Sequence, residues 1–257
     1  MSLDCDEFLV ITTDGGKVSD LIKKLGDDVD QIHVHWTYIG SQGESTFKDE
    51  LVTTRFYETE SSDRIEKVKN GHKTLYRTSA FRRVGIHRPR PENYEPGRAV
   101  TASGLGIEHT EMGLHSSLDP GGQKYAQVFH YQIRDAESFT LAKIRGRANP
   151  GAIYFETLGY WAVADKSFRR TDLLQRERTR ILDEIDRLDS VSGGKLKELH
   201  KAAVAVSKER IAAFKSDPIH RDFYEKICRL QKRLRSEEKR QALIELYDLG
   251  EISWRPK

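Results

Sequence analysis

The spacing of apolar residues changes near residue 165, and this change constrains the fold more than any other feature of the sequence. Before it, apolar residues alternate with polar ones or form short runs, as in IHVHWTYI (32–39), which is typical of β-strands. After it, apolar residues recur every three or four positions among charged ones, as in amphipathic helices. We therefore predict an α+β protein, with a mixed or antiparallel sheet domain over residues 1–165 followed by a helical region over residues 166–257.

The first part of the chain divides into short segments with strand or helix patterns. VSDLIKKLG (18–26) has apolar residues at helical intervals and predicts a helix. Strands are predicted over FLVITT (8–13), IHVHWTYI (32–39), LVTTRFYETE (51–60), YAQVFHYQI (125–133) and FTLAKI (139–144), and KTLYRT (73–78) and FRRVGIH (81–87) could form further strands. The pattern also predicts a helix over residues 61–71 and an irregular loop over 88–106, and leaves 152–163 open between strand and helix.

The C-terminal part predicts a helical hairpin followed by a further helix. Leu174, Ile181, Ile185 and Leu188 follow a heptad spacing, a second amphipathic segment covers residues 196–214, and a third ends at Gly250. Two heptads are too few to establish a coiled-coil dimer, so a hairpin within one chain explains the pattern. These helices are nevertheless the predicted contact surface of a homo-oligomer, and an assembly protein without catalytic activity is one alternative for the function.

Charge is distributed unevenly along the chain. Residues 1–68 carry a net charge of −8, whereas residues 69–165 and 166–257 carry +4 and +7. Such asymmetry favours a polyanionic partner for the basic part. The alternative is that the acidic and basic segments pack against each other.

Arginines are concentrated between residues 73 and 98, where aromatic residues are interspersed among them. Guanidinium groups bind phosphate oxygens in pairs and stack on bases, so this composition favours a nucleic-acid partner. The predicted nucleic-acid-binding residues are Arg77, Arg82, Arg83, Arg88, Arg90 and Arg98, with a second cluster at Lys143, Arg145 and Arg147. The alternative is a solvated face, or ion pairs with the acidic first segment.

Two histidines and a glutamate, His109, Glu111 and His115, lie in a glycine-containing segment with the composition of a loop. Histidine and carboxylate side chains in such a segment are suited to acid–base chemistry near neutral pH. Together with the arginines, they predict nucleic-acid binding or processing, with phosphodiester cleavage by a nuclease as the reaction to test first. An ordinary polar loop explains the same residues.

His33 and His35 are two positions apart in a predicted strand, so both side chains leave the same face. They could bind a divalent metal ion, which would need further ligands from His109, Glu111, His115, Asp119 or His130. This arrangement predicts a metal-dependent enzyme acting on a small molecule, which is the rival hypothesis to nucleic-acid binding or processing. The alternative is that both histidines face solvent.

Several classes of protein are disfavoured by the sequence. No run of apolar residues approaches the roughly 20 that a membrane helix needs. The chain has two cysteines, Cys5 and Cys228, which form no Cys-x-x-Cys pair and predict no disulfide framework. A GxxxxGK[ST] phosphate-binding loop is absent from the sequence. These features predict a cytoplasmic protein without a membrane partner.

Overall fold

The computed structural model describes residues 1–13, 15–60, 70–89, 97–107, 116–117, 119–146 and 157–233. The chain forms two compact units. The sheet unit comprises Met1–Tyr38 and Thr59–Gln132, and the helical unit comprises Ile39–Glu58 and Ile133–Lys257. A mixed sheet followed by C-terminal helices confirms the predicted α+β class. Each unit comprises two separate segments of the chain, which meet at residues 38/39, 58/59 and 132/133. The domain boundary at residue 165 stays a prediction.

Strands and helices occupy the following residues. The strands are β1 (Glu7–Ile11), β2 (Gln31–Tyr38), β3 (Glu58–Thr59), β4 (Asn70–Tyr76), β5 (Ala99–Thr101), β6 (Ser116–Ser117), β7 (Ala126–His130) and β8 (Arg169–Arg170). The helices are α1 (Val18–Leu25), α2 (Val52–Arg55), α3 (Ala136–Arg145), α4 (Leu158–Ala164), α5 (Arg178–Val191), α6 (Lys195–Ser216) and α7 (Pro218–Arg233), and Thr78–Ala80 forms a 3-10 turn. Within the described residues, no helix has the length and apolar character needed to cross a membrane.

Strand β2 lies at the centre of the mixed sheet. It pairs with β4 in the antiparallel direction, and its first and second halves pair in parallel with β5 and β7. Strands β1 and β6 extend the sheet through antiparallel pairing with β7 and β4. One face of β2 contributes Ile32 and Val34 to an apolar core that also contains Leu21 of α1 and Val128 of β7. The alternation of IHVHWTYI is therefore explained by two faces that have different neighbours.

The helical unit has a separate apolar core, formed around the aromatic side chains of α3 and α4. Phe139 and Trp161 pack edge to face with ring centroids 4.9 Å apart, and both contribute to the same buried cluster as Ile227 of α7. Helices α5 and α6 contact each other and are joined through Gly193 and Gly194, whose φ angles of 64° and 84° suit a residue without Cβ. Strands β3 and β8 form a small two-stranded sheet.

Two segments that the sequence predicts as strands contain helices instead. In LVTTRFYETE, residues Val52–Arg55 form α2, and only Glu58–Thr59 is extended. FTLAKI belongs to α3, which begins after Asp135 and ends at Gly146, with a φ of 72°. These capping residues mark the ends of α3, and most of its residues are helix formers such as alanine, leucine and lysine, although its β-branched and aromatic residues favour a strand.

Other segments are partly confirmed. The predicted strands at residues 8–13, 32–39, 73–78 and 125–133 and the predicted helix at 18–26 correspond to β1, β2, β4, β7 and α1. FRRVGIH is not a strand. The chain bends at residues 86–88, and the carbonyl oxygen of Arg88 comes so close to Gly85 that a Cβ there would lie 1.8 Å from it. Strand β5 lies inside the segment predicted as a loop, and residues 158–163 are helical. Of the helix predicted over 61–71, residues 70 and 71 belong to β4 instead, and residues 61–69 lie outside the described residues, as do residues 152–156 and Gly250.

A buried ion pair fixes the start of α3. The carboxylate of Asp135 accepts hydrogen bonds from the backbone N–H and the hydroxyl of Ser138, at 2.8 and 3.0 Å. It also pairs with Arg55 Nη1 at 3.1 Å, and the Arg55 side chain is only 6% exposed. The second Arg55 nitrogen pairs with Glu44 and donates to the carbonyl oxygen of Thr46. Asp135 both caps the N-terminus of α3 and pairs with Arg55 of α2, so it holds these two helices together.

We expect the substitution Asp135→Ala to lower the free energy of unfolding of the helical unit by about 3 kcal/mol or more, because it leaves Arg55 buried with one carboxylate fewer. Asp135→Asn should cost less, because asparagine also caps helices. The matched control is Asp172→Ala, which removes an exposed ion pair with Arg176 and should cost less than about 1 kcal/mol. Urea denaturation measures all three, and equal losses for Asp135→Ala and Asp172→Ala would contradict this assignment.

Candidate functional site

The arginines predicted to bind nucleic acid are dispersed over several environments. Arg77 pairs with Asp30 at 3.8 Å and Arg98 pairs with Asp28, so acids of the first segment neutralise both guanidinium groups. Arg82 and Arg83 are exposed, whereas Arg88 is half-buried. Arg90 and Arg147 lie outside the described residues. The described arginines of residues 73–98 therefore do not share one environment.

Lys143 and Arg145 lie on different sides of α3. The ammonium group of Lys143 sits 4.7 Å from the centroid of the Phe223 ring. Arg145 is exposed and lines a groove of the helical unit. Of the second predicted cluster, Arg145 lines this groove and Lys143 does not.

His33 and His35 belong to a buried cluster on the face of the sheet opposite the apolar core. The register places His35 of β2 directly opposite His72 of β4, and all three imidazoles are at most 1% exposed. The rings of His33 and His72 stack with centroids 4.1 Å apart and an interplanar angle of 10°. The interpretation that His33 and His35 face solvent is therefore wrong. A third histidine from the neighbouring strand joins them.

Asp119 lies next to this histidine cluster. One of its carboxylate oxygens is 3.8 Å from Nδ1 of His35. The carboxylate accepts hydrogen bonds from the hydroxyls of Thr101 and Ser103, at 3.1 and 2.9 Å, and from the backbone N–H of Gly121 at 3.1 Å. Three donors thus hold a carboxylate that is 1% exposed in a fixed orientation beside an imidazole.

Burial keeps the imidazoles of His33 and His72 neutral at ordinary pH by lowering their pKa values. It lowers the pKa of His33 to about 3, with smaller contributions from the charges of His35 and Arg88. Burial also holds the pKa of His72 far below its usual range, assisted by His33, His35, His87 and Arg88. Protonating either ring would place a charge in a site from which water is excluded.

The described residues do not include three side chains arranged to hold a metal ion. Because the imidazoles of His33 and His72 are stacked and nearly parallel, their in-plane lone pairs lie in separate planes and do not converge on one point. His109, Glu111 and His115 lie outside the described residues. The predicted divalent metal site and the predicted acid–base residues therefore stay predictions.

A groove lies between α3 and α6 in the helical unit. Its volume is about 580 Å³, which is within the range of ligand-binding clefts. Ser138, Ala142, Ser207 and Ala213 lie along the two facing helices, and their short side chains leave the space between them. Larger apolar side chains form much of the lining, namely Phe47, Leu141, Ile144, Val206 and Phe214. Ile144 and Val206 are 42% and 44% exposed.

Three guanidinium groups line the same groove. Arg145 ends α3, Arg210 lies on α6 one turn after Val206, and Arg134 immediately precedes the capping residue of α3. All three are exposed, and no carboxylate of the described residues lies within ion-pair distance of any of them. The acid in the lining, Asp217, is paired with His220 at 3.0 Å. Backbone N–H groups of His220 and Ile219 also bond to Asp217, and the first of these contributes most to lowering its pKa.

Sequence reasoning identifies Arg145 but not Arg134 or Arg210. These residues are separated by up to 76 positions between Arg134 and Arg210, and each is surrounded by other charges in the sequence. The recurrence of Val206, Arg210, Ala213 and Asp217 at helical intervals was the available signal, since it places a basic residue on a row of small and apolar ones.

The exposed apolar residues of the C-terminal helices do not identify a partner. No residue of α5 is buried, and Leu188 and Val191 are 43% and 76% exposed. Self-association through these helices stays a prediction.

Comparisons with known proteins give no relative for this chain: no family model, curated protein or solved structure matches it.

The histidine cluster predicts a specific loss of stability in acid. An unfolded histidine has a pKa near 6.5, whereas His33 and His72 remain neutral to much lower pH in the folded state, so the unfolded chain binds more protons as the pH falls below about 6.5. We expect the free energy of unfolding to decrease by about 4 kcal/mol between roughly pH 7 and 5 from these two groups. Urea denaturation at several pH values measures the decrease.

The same measurement on variants isolates the histidines from other titrating groups. His72→Gln should remove about half of this pH dependence. His200→Gln replaces a histidine whose side chain is 63% exposed and should leave the dependence unchanged. A free energy of unfolding whose pH dependence is identical in the wild type and in His72→Gln contradicts this description of the cluster.

Proposed function

We propose that the protein binds nucleic acid and that the groove between α3 and α6 is its contact site. The observation that carries this proposal is the presence of Arg134, Arg145 and Arg210 in one groove without a carboxylate partner among the described residues. Phosphate is a suitable counter-ion, because each guanidinium can donate two parallel hydrogen bonds to its oxygens.

The contrast with other arginines supports this choice of site. On α5, Arg180 and Arg187 pair with Glu177 and Glu184 at 2.7 and 2.6 Å. Such pairs at the surface contribute little to stability, but they show that carboxylates accompany two of the three arginines of this helix. No carboxylate of the described residues pairs with the three groove arginines, so a bound phosphate can provide the counter-charge.

The groove supports binding and not a particular reaction. Phosphodiester cleavage by His109, Glu111 or His115 stays a prediction, because those residues lie outside the described ranges. The rival hypothesis of a metal-dependent enzyme around His33 and His35 also stays a prediction. No observation favours it over nucleic-acid binding, since the described part of the cluster is closed to solvent.

We expect a labelled mixed-sequence DNA oligonucleotide to bind more weakly as salt rises from about 50 to 200 mM, because binding releases counter-ions from the phosphates. The double substitution Arg145→Gln/Arg210→Gln should lower the affinity by roughly tenfold or more. It should also reduce the slope of log K against log salt by about 1.5, since each lost phosphate contact contributes 0.7 to 0.9. Fluorescence anisotropy titrations at several salt concentrations measure both quantities.

Arg178→Gln provides the matched control. It removes one charge from an exposed arginine on α5 that does not line the groove, and it should change neither affinity nor slope appreciably. Binding that is independent of salt, or equal losses for the groove and control variants, would refute the proposal.

A further inference from the structure

The lining of the groove between α3 and α6 distinguishes between forms of nucleic acid. Its arginines alone would suit any polyanion, but Ile144 and Val206 expose apolar surface beside them, and Phe47 is half-buried in the same lining. Exposed apolar surface next to charged groups favours a ligand that presents both phosphates and flat apolar faces.

Duplex and single-stranded nucleic acids differ in this respect. In a duplex the bases are stacked and paired inside, so the surface that meets a protein is mainly phosphate and sugar. The bases of a single strand are free to pack against apolar, aromatic or guanidinium groups while the phosphates contact arginines. Only the single strand can therefore use the apolar lining and the guanidinium groups of this groove together.

The hydroxyl groups of the groove are already engaged. Ser138 donates its hydroxyl proton to Asp135 at 3.0 Å, and Ser207 donates to the carbonyl oxygen of Ala203 at 2.8 Å. Reading of a base edge needs donors and acceptors placed for that base. With these hydroxyl protons committed, the groove offers mainly guanidinium charge and apolar surface. All four nucleotides present a phosphate and an apolar base face, so this lining does not select among them.

We propose, on the basis of the proposed function, that this groove binds single-stranded nucleic acid in preference to duplex and with little preference for sequence. Phosphates contact Arg134, Arg145 and Arg210, and at least one base packs on the surface of Ile144 and Val206. The short side chains of Ala142 and Ser207 provide the room for that base.

The test compares one labelled strand with the same strand annealed to its complement, at a single salt concentration. We expect the full-length protein to bind the single strand at least about tenfold more tightly than the duplex, since base packing adds to the phosphate contacts. Oligothymidylate and a mixed sequence should bind with affinities within about threefold of each other.

A groove-filling variant tests the position of the base. Ala142→Leu/Ser207→Leu fills the space without changing charge and should weaken single-strand binding by about tenfold while leaving duplex binding unchanged. Ala205→Leu adds the same side chain to an exposed position of α6 outside the groove and should have no effect. Circular dichroism checks that the variants fold. If the filled variant does not fold, the ratio of single-strand to duplex affinity of the wild-type protein decides the question.

Each other outcome has a defined meaning. Equal or tighter binding of the duplex overturns this inference and leaves the proposed function intact. Salt-independent binding, or no binding of either form, overturns both. Displacement of the strand by polyglutamate of equal charge as effectively as by unlabelled strand shows recognition of charge alone, and also overturns the inference.

Discussion

The lack of a carboxylate partner for three guanidinium groups, among the described residues, is the constraint on which our functional account depends. Arg134, Arg145 and Arg210 line one groove, and no carboxylate of the described residues neutralises them. Elsewhere in the chain, arginines such as Arg55, Arg77 and Arg98 have acidic partners. A surface with charges of one sign attracts ligands of the opposite charge. A phosphate-bearing ligand supplies the counter-charge.

The rest of the helical unit places these groups. The ion pair between Arg55 and Asp135 fixes the start of α3, and Arg134 is the residue immediately before it. Three helical turns later, the same helix presents Arg145, and small side chains on α3 and α6 keep the intervening space open. A buried interaction that stabilises the unit therefore also determines where one guanidinium enters the groove.

The sequence is informative where a local pattern has one structural solution. Alternation in IHVHWTYI predicts β2, and helical spacing predicts α1 and the α5–α6 hairpin. It fails in α3, where FTLAKI alone resembles a strand but belongs to a longer helix capped by Asp135 and Gly146. Alternation also does not show whether the polar face of β2 is exposed to solvent or buried. That depends on residues from other strands, such as His72 of β4. The groove combines residues 47, 134–145 and 206–220, and only folding brings these together.

Amide hydrogen exchange with and without a bound single-stranded oligonucleotide tests the central claim most directly, because it locates the contact surface without any substitution. We expect exchange to slow in peptides that cover residues 134–146 and 206–220, which line the groove. The account is contradicted if the oligonucleotide binds but slower exchange is confined to peptides that cover residues 77–89, with no change in peptides from the two groove segments.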